Sequence, residues 1–364
     1  MSARAQANYP LVRQYGLIEK AREYDLSNAG KGYLPQFSLS GKATYQSDIT
    51  ELPVEIPGSQ YKRLLQKDQY QVMLELQQTI WDGGDIRNRK RLTRTASDVD
   101  MEKQHVDMYA LNDRINQLFF GILLLDEQLK QNQLLQDDLG RTHKQVSNYI
   151  INGIATQSDL DAVSVEQLNT KQRRIELETS RQAYINMLSA FIGKEIPAGT
   201  ILQKPVPEDS DGMGTGINNR PELSLFDAQG EQLRVQEAML NVRLMPRFGL
   251  FVQGAYGNPG LNMLKDEFNA FYMAGVRMSW NFGSLYTLKN DRRRIDNSRR
   301  QIETGRDVFL FNTRLQATQQ DADVISMRRK MADDDEIIRL RENIRRAAEA
   351  KVGKRDADCY RYAS

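Results

Sequence analysis

The chain repeats itself at a fixed distance. Asn8-Tyr9-Pro10-Leu11 returns as Asn219-Arg220-Pro221-Glu222, and Leu34-Pro35-Gln36-Phe37-Ser38-Leu39 returns as Met245-Pro246-Arg247-Phe248-Gly249-Leu250. Pro10 against Pro221, Pro35 against Pro246 and Tyr45 against Tyr256 all share one offset of 211 residues. A second landmark, Trp81-x-x-Gly84, returns as Trp280-x-x-Gly283 at an offset of 199, so the loop between the landmarks is 12 residues shorter in the second copy. Register held over such a span means two copies of one supersecondary unit. Each copy reads as helix, strand, loop, strand, long helix. The division is a first repeat over residues 1–193, a linker over 194–219, an incomplete second repeat over 220–352 and an atypical tail over 353–364.

The strands carry a period of two. From Gln36 to Gln46 the odd positions are Phe37, Leu39, Gly41, Ala43 and Tyr45, while Ser38, Ser40, Lys42 and Thr44 fall between them. Gln69 to Trp81 sets Tyr70, Val72, Leu74 and Leu76 against Gln69, Gln71, Glu75 and Gln77. In the second copy Phe248, Leu250, Val252 and Tyr256 share a face, as do Tyr272, Val276, Met278 and Trp280. Each run is about 10 to 13 residues, the length with which a tilted strand crosses a bilayer. A soluble two-hairpin sheet packed on helices has the same alternation, so periodicity leaves both readings open.

Between the strands the pattern changes to a helical one. Gly84 to Ile150 contains no Pro, and Leu111, Ile115, Leu118, Ile122, Leu125 and Leu129 follow the spacing of a coiled-coil seam. At 1.5 Å per residue this helix is about 100 Å long. Asn152-Gly153 interrupts it and a second helix returns from about Ser158 to Ile192, carrying Leu168, Ile175, Leu188 and Phe191. The two form an antiparallel hairpin. Thr156 with Asp159 and Ser158 with Asp161 both have the spacing of a capping box. From about Ile196 to Asn219, Pro205, Pro207, Gly212, Gly214 and Gly216 mark a connector. The glycine run follows no strand and opens no helix, so it is no phosphate loop.

Composition supports an elongated molecule and excludes several chemistries. Hydrophobic residues make up 40 % and mean hydropathy is −0.61, which is polar for a chain of 364 residues with one compact core. No apolar run of 18 residues occurs, so a membrane, if crossed, is crossed by strands. With 50 Lys and Arg against 48 Asp and Glu, the net charge of +2 gives no whole-chain attraction to nucleic acid. The basic groups Arg87, Arg89, Lys90 and Arg91, and Arg292, Arg293 and Arg294, follow the two strand exits; they suit anionic headgroups or simply a solvated helix face. His105 and His143 stand 38 positions apart without ligand-spaced neighbours, and the single Cys359 forms no intrachain disulfide, so no metal or cofactor is expected. No nucleophile–base pair or carboxylate pair at diagnostic spacing appears, and the chain is read as no enzyme.

The order of elements, the Leu34-Pro35 strand start, the exit Ile80-Trp81-Asp82-Gly83-Gly84 and the turn Gly153-Ile154-Ala155-Thr156-Gln157-Ser158-Asp159-Leu160 resemble the TolC-like outer-membrane efflux protein family over roughly residues 5 to 350. The resemblance implies a mainly α fold with membrane β. Long antiparallel coiled-coil hairpins would extend through the periplasm, and four strands per protomer would join a shared trimeric β-barrel in the outer membrane. It further implies an exit duct for small molecules, with a homotrimer, a periplasmic adaptor, an inner-membrane pump and outer-membrane lipid as partners. The adaptor-docking tip would be Gly153, Ile154, Ala155, Thr156, Ser158, Asp159 and Leu160. Tyr45, Trp81, Tyr256 and Trp280 would lie at the membrane interface, where aromatic girdles anchor barrels. The competing expectation is a soluble coiled-coil scaffold with a small sheet head.

Against the family pattern, no export signal is read at Met1-Ser2-Ala3-Arg4, the last helix is expected to stop near Lys351-Val352, and no returning helix follows. A non-functional truncated fragment is therefore the other alternative.

Overall fold

The computed structural model describes residues 2–48, 66–205, 219–262 and 265–362, with side chains between residues 4 and 347. It divides into two units, Met1–Arg299 and Arg300–Ser364. The first contains helices α1 (Ser2–Asn8), α2 (Val12–Gly30), α3 (Asp85–Ile151), α4 (Gln157–Ile192) and α5 (Pro221–Val242). It also holds strands β1 (Gln36–Tyr45), β2 (Asp68–Trp81), β3 (Arg247–Asn258) and β4 (Asn269–Ser279), and the start of α6 (Ser284–Tyr362). The second unit is the remaining length of α6, a highly charged helix with exposed ion pairs such as Arg339–Glu336 and Arg346–Glu342.

The duplication is visible in where elements begin. β1 starts at Gln36 and β3 at Arg247, 211 residues apart; α3 starts at Asp85 and α6 at Ser284, 199 apart. Yet the copies are not separate bodies. The four strands form one antiparallel sheet in the order β1-β2-β3-β4, so its central joint, β2 with β3, unites the two repeats.

Each long helix begins with a local device. Asp82 accepts from the Gly84 and Ile86 N–H groups at 2.8 and 2.7 Å and so satisfies donors that the start of α3 leaves without partners. Gly84, with φ +88°, makes the turn in a region that other residues avoid. In the second copy Asn281 accepts from Gly283 at 2.9 Å in the same place.

The core lies where the hairpin base meets the N-terminal helices. Met108, Leu111, Ile115 and Ile122 of α3 pack with Ile185 and Leu188 of α4, with Ala5 of α1 and with Leu202. The α3 seam read from the sequence is therefore the packed one, with Leu118, Leu125 and Leu129 half-buried beside it. On α4 the apolar residues do not all face inward. Leu168 and Ile175 are exposed, and the inward positions are Thr170, Leu177, Ile185 and Leu188. The distal seam is polar instead: Asn132 donates to the Thr170 carbonyl at 3.1 Å and Gln167 to the Leu139 carbonyl at 3.3 Å.

Two further differences stand out. The connector is not loose at its start, since Leu202 is buried and Arg181 donates to the Ala198 and Thr200 carbonyls while pairing with Asp126 at 2.5 Å. Its Gly212, Gly214 and Gly216 lie outside the described residues. At the other end α6 continues through Gly353 to Tyr362. One Gly costs a helix only about 1 kcal/mol, and the Ala-, Arg- and Lys-rich residues around it favour continuation.

Candidate functional site: an inverted sheet and a helical tip

Cross-strand register sorts the sheet's side chains into two faces. Leu39 stands opposite Leu74, Leu74 opposite Gly254 and Gly254 opposite Tyr272; the next row is Phe37, Leu76, Val252 and Ala274. The other face carries Ser38, Glu75, Gln253 and Met273 in one row and Lys42, Gln71, Gly257 and Asn269 in another. In a water-soluble domain the first face would be covered and the second wet. Here the order is reversed. Leu39, Leu74 and Val276 are 73 %, 52 % and 67 % exposed, whereas Ala255 at the centre of the polar face is 7 % exposed and its neighbours Met73 and Glu75 are half-buried.

The polar face is organised by one arginine. Arg277 reaches across β3 to Glu75, 3.2 Å away, with its guanidinium 4.8 Å from the Phe251 ring. Phe251 leans over Gly275, where an added Cβ would meet the ring at 3.0 Å. A backbone without a side chain there lets the aromatic ring lie flat along the polar face. Below it, a cavity of about 440 Å³ is lined by Gln77, Asp85, Arg89, Arg247 and Arg277, where the polar face meets the helices.

The interface aromatics fall at opposite ends of the sheet. Tyr45 and Tyr256 lie toward the strand-connecting loops, and Trp81 and Trp280 lie where strands hand over to helices. Strict alternation would put Trp81 on the polar face with Glu75 and Gln77. A β-bulge between Thr79 and Trp81 shifts the register by one and brings Trp81 opposite Phe248, with ring centroids 5.9 Å apart. Trp280 falls one residue beyond β4; its indole N–H donates to the Leu244 carbonyl at 2.9 Å and its ring lies 4.7 Å from Phe282. Sequence reasoning missed Phe282, and also Phe268, which stacks on Tyr256 at 5.7 Å. Both sit just outside the strands, where alternation gives no signal.

The tip between α3 and α4 is closed by backbone geometry. Gly153 has φ +71°, its N–H donates to the Ile150 carbonyl at 3.0 Å, and the Ile154 N–H donates to the Tyr149 carbonyl at 2.8 Å. That is the Schellman arrangement that ends a helix on a left-handed residue. Thr156 caps α4: its Oγ1 accepts from the Asp159 N–H at 3.4 Å, and the Asp159 carboxylate accepts from the Thr156 N–H at 2.8 Å and from its hydroxyl at 2.7 Å. These bonds to Thr156 hold the Asp159 carboxyl below its ordinary pKa. Ser158 with Asp161 does not form the second box suggested by spacing, because both lie inside α4 and Asp161 accepts from Gln157 instead. Gly153, Ile154, Thr156, Ser158 and Asp159 are exposed, while Ala155 and Leu160 are half-buried.

Of the basic groups beyond the strands, Arg89 pairs with Asp85 and Arg292 donates to Asn241, so these two are partly engaged within the chain. His105 lies beside Glu102 at 3.3 Å and against the Tyr15 ring. Among the described residues no helix is long and apolar enough to cross a membrane, which says nothing against a barrel of strands.

Comparison with solved structures places this architecture. VceC, an outer membrane protein of Vibrio cholerae, is similar over 84 % of this chain and 74 % of its own, with a TM-score of 0.57 and 15 % identity. The CmeC outer membrane channel of Campylobacter jejuni matches over 84 % and 66 %, with a TM-score of 0.58 and 11 % identity. The MtrE outer membrane channel of Neisseria gonorrhoeae matches over 84 % and 67 %, with a TM-score of 0.55 and 12 % identity. The chain thus spans about two thirds to three quarters of each, and at these identities the likeness is one of fold. No curated protein sequence matches the chain. The family model for outer membrane efflux proteins matches residues 1–194, more than half of its length. With the mainly helical fold and the four-stranded sheet of these channels, the chain belongs to the outer membrane efflux protein family.

Proposed function

We propose that this protein is the outer-membrane exit duct of a tripartite efflux or secretion system, through which small molecules pass passively across the periplasm and the outer membrane. The inverted sheet carries the reading. Four strands expose a continuous apolar face, while the polar face is largely half-buried or buried along the central strands β2 and β3, an arrangement that is unfavourable in water and favourable when lipid lies outside and water inside.

The oligomer follows from the same sheet. Among the described residues β1 pairs only with β2 and β4 only with β3, which leaves two open edges. Unpaired backbone groups are not tolerated in lipid, so the barrel closes by sharing strands between copies. Two copies give eight strands, whose interior side chains fill; three give twelve, with a lumen. A homotrimer is the smallest duct.

Tyr45 and Tyr256 then mark one membrane interface and Trp81 and Trp280 the other. From Phe248, opposite Trp81, to Tyr256 is eight residues of β3. That is about 27 Å along the strand and about 21 Å along the normal at a tilt of about 40°, close to the apolar band of known barrels. The tip from Gly153 to Leu160 docks the periplasmic adaptor, which couples the duct to an inner-membrane pump.

Expression behind an export signal, followed by membrane fractionation and gel electrophoresis without heating, tests the proposal. Recovery with the outer membrane as a heat-dissociable trimer is expected. A soluble monomer would instead support the coiled-coil scaffold.

A further inference from the structure

From the duplication, we infer the strand register by which β4 of one protomer pairs with β1 of the next: Met278 opposite Leu39, Val276 opposite Gly41 and Ala274 opposite Ala43. The inference rests on the barrel proposed above and adds to it which residues meet.

β3 is the second copy of β1 and β4 the second copy of β2. The joint between repeats, β2 with β3, is therefore the internal version of β4 with the next protomer's β1. Both joints are antiparallel, and only the internal one is seen. Residues of β3 map onto β1 by the offset of 211. For β2 onto β4, Trp81 and Trp280 fix 199 at the helix end, and the extra residue in the β2 bulge makes it 200 on the loop side. The observed pairs Gln78–Leu250, Leu76–Val252 and Leu74–Gly254 then become the three intermolecular pairs.

Closure geometry supports this choice. A row of opposed residues runs from Leu39 through Leu74 and Gly254 to Tyr272, and the inferred register continues it to Tyr45 of the neighbour. Each protomer thus advances six residues. Over twelve strands this corresponds to a tilt of about 45°, at the upper end of what barrels adopt. Aligning the copies instead by their hairpins, Leu39–Leu74 against Leu250–Val276, shifts the register by two and requires about 54°, outside that range.

The edges themselves are built for pairing. Neither strand contains Pro. The one charge on β1 is Lys42 and the one on β4 is Arg277, both on the polar face, so neither edge carries a charge on its apolar face that would block association in lipid. Leu39 and Val276 are 73 % and 67 % exposed, against 44 % for Leu250 and Val252 within the sheet. They lack the neighbour that the inner strands have.

The test uses the full chain with Cys359 replaced by Ser and two cysteines introduced, Ala43→Cys with Ala274→Cys, reconstituted in lipid vesicles and oxidised. Opposed residues lie within disulfide reach, whereas a two-residue slip separates their Cα atoms by about 8 Å. The expected result is a covalent trimer on a non-reducing gel, absent from either single-cysteine variant and from the slipped pair of the hairpin alignment, Ala43→Cys with Val276→Cys. Cross-linking of the slipped pair alone overturns the register. A trimer that assembles but links through neither pair overturns the edge-to-edge joint. Failure of the parent protein to assemble overturns the barrel reading beneath it.

Discussion

A single charge placed on the sheet separates a lipid-facing surface from a wet one. Val252 lies on β3 four residues from Phe248 and four from Tyr256, so it sits midway between the two aromatic levels, flanked by Leu76 and Ala274. It is 44 % exposed. On a water-facing surface Val252→Arg would change stability by no more than about 0.5 kcal/mol, because the side chain extends into solvent. At the midplane of a bilayer the same change costs about 2 to 4 kcal/mol per site, or about 6 to 12 kcal/mol for three copies. The adjacent residue provides the control. Gln253 points to the opposite face and stands opposite Glu75, so Gln253→Arg adds a cation beside a carboxylate and should shift stability by less than about 1 kcal/mol. Both variants would be refolded into vesicles and unfolded with guanidinium, using the change in gel mobility on heating as the readout. Equal stability of the two variants, or a larger loss for Gln253→Arg, would refute the assignment of faces.

At the tip, Gly153→Val should cost about 1 to 2 kcal/mol through backbone strain alone, since no atom lies within 4 Å of the added Cβ; adaptor affinity should fall with the trimer intact, and unchanged affinity removes Gly153 from the docking site. The α4 cap should weaken in acid. The folded state lowers the pKa of Asp159 below its ordinary 3.8, so the cap's contribution is complete above that value and is lost as pH falls through the lowered one. Amide-exchange protection of the first turn of α4 should drop in that window, and Asp159→Asn should abolish the dependence; a drop that persists in the variant assigns it elsewhere. The two tryptophans of the chain, Trp81 and Trp280, lie at one end of the sheet. Quenchers carried near the lipid headgroup should therefore quench the intrinsic fluorescence more strongly than quenchers at the acyl-chain ends, and the reverse order would move the helix end of the sheet away from the interface.

Much of this was legible because duplication and alternation are local signals. Strands β1 to β4 lie where period two places them, and α3 lies where the absence of Pro and the run from Leu111 to Ile122 place it. Gly153 was legible as a turn because only glycine takes that φ without cost. What alternation and spacing left hidden has a common origin in polar or irregular packing. On α4 the apolar Leu168 and Ile175 are exposed, whereas the buried position is Thr170, held through its carbonyl by Asn132. Trp81 changed faces through one bulged residue, and a bulge leaves no periodic trace. Phe268 and Phe282 extend the aromatic levels from outside the strands. The span of Arg277 across β3 to Glu75 joins residues 202 positions apart, which spacing cannot suggest.

A duct has no centre to fill, so its stability has to come from elsewhere than one large core. Here one apolar cluster lies at the level where α1, α3, α4 and Leu202 meet, around Ile122, Ile185 and Leu188, and α5 adds the buried Leu233, Val235, Leu240 and Val242. On either side different forces take over. In the sheet, the ladder of backbone bonds is supplemented on the polar face by Arg277, whose pairing with Glu75 spans β3 and ties β2 to β4; being partly sheltered beside Phe251, that pair is less screened than a free surface pair. Toward the tip, the apolar seam gives way to amide side chains, with Asn132, Gln136 and Gln167 donating to backbone carbonyls of the facing helix. Such bonds contribute little net stability, but they are satisfied in one axial alignment of α3 against α4, and a slip by one residue would leave buried amides without partners. The distal hairpin thus trades hydrophobic stabilisation for alignment. In the proposed duct that would suit an element whose end, the turn at Gly153 and the cap at Thr156, is presented to an adaptor at a fixed height while its sides border a water-filled tunnel.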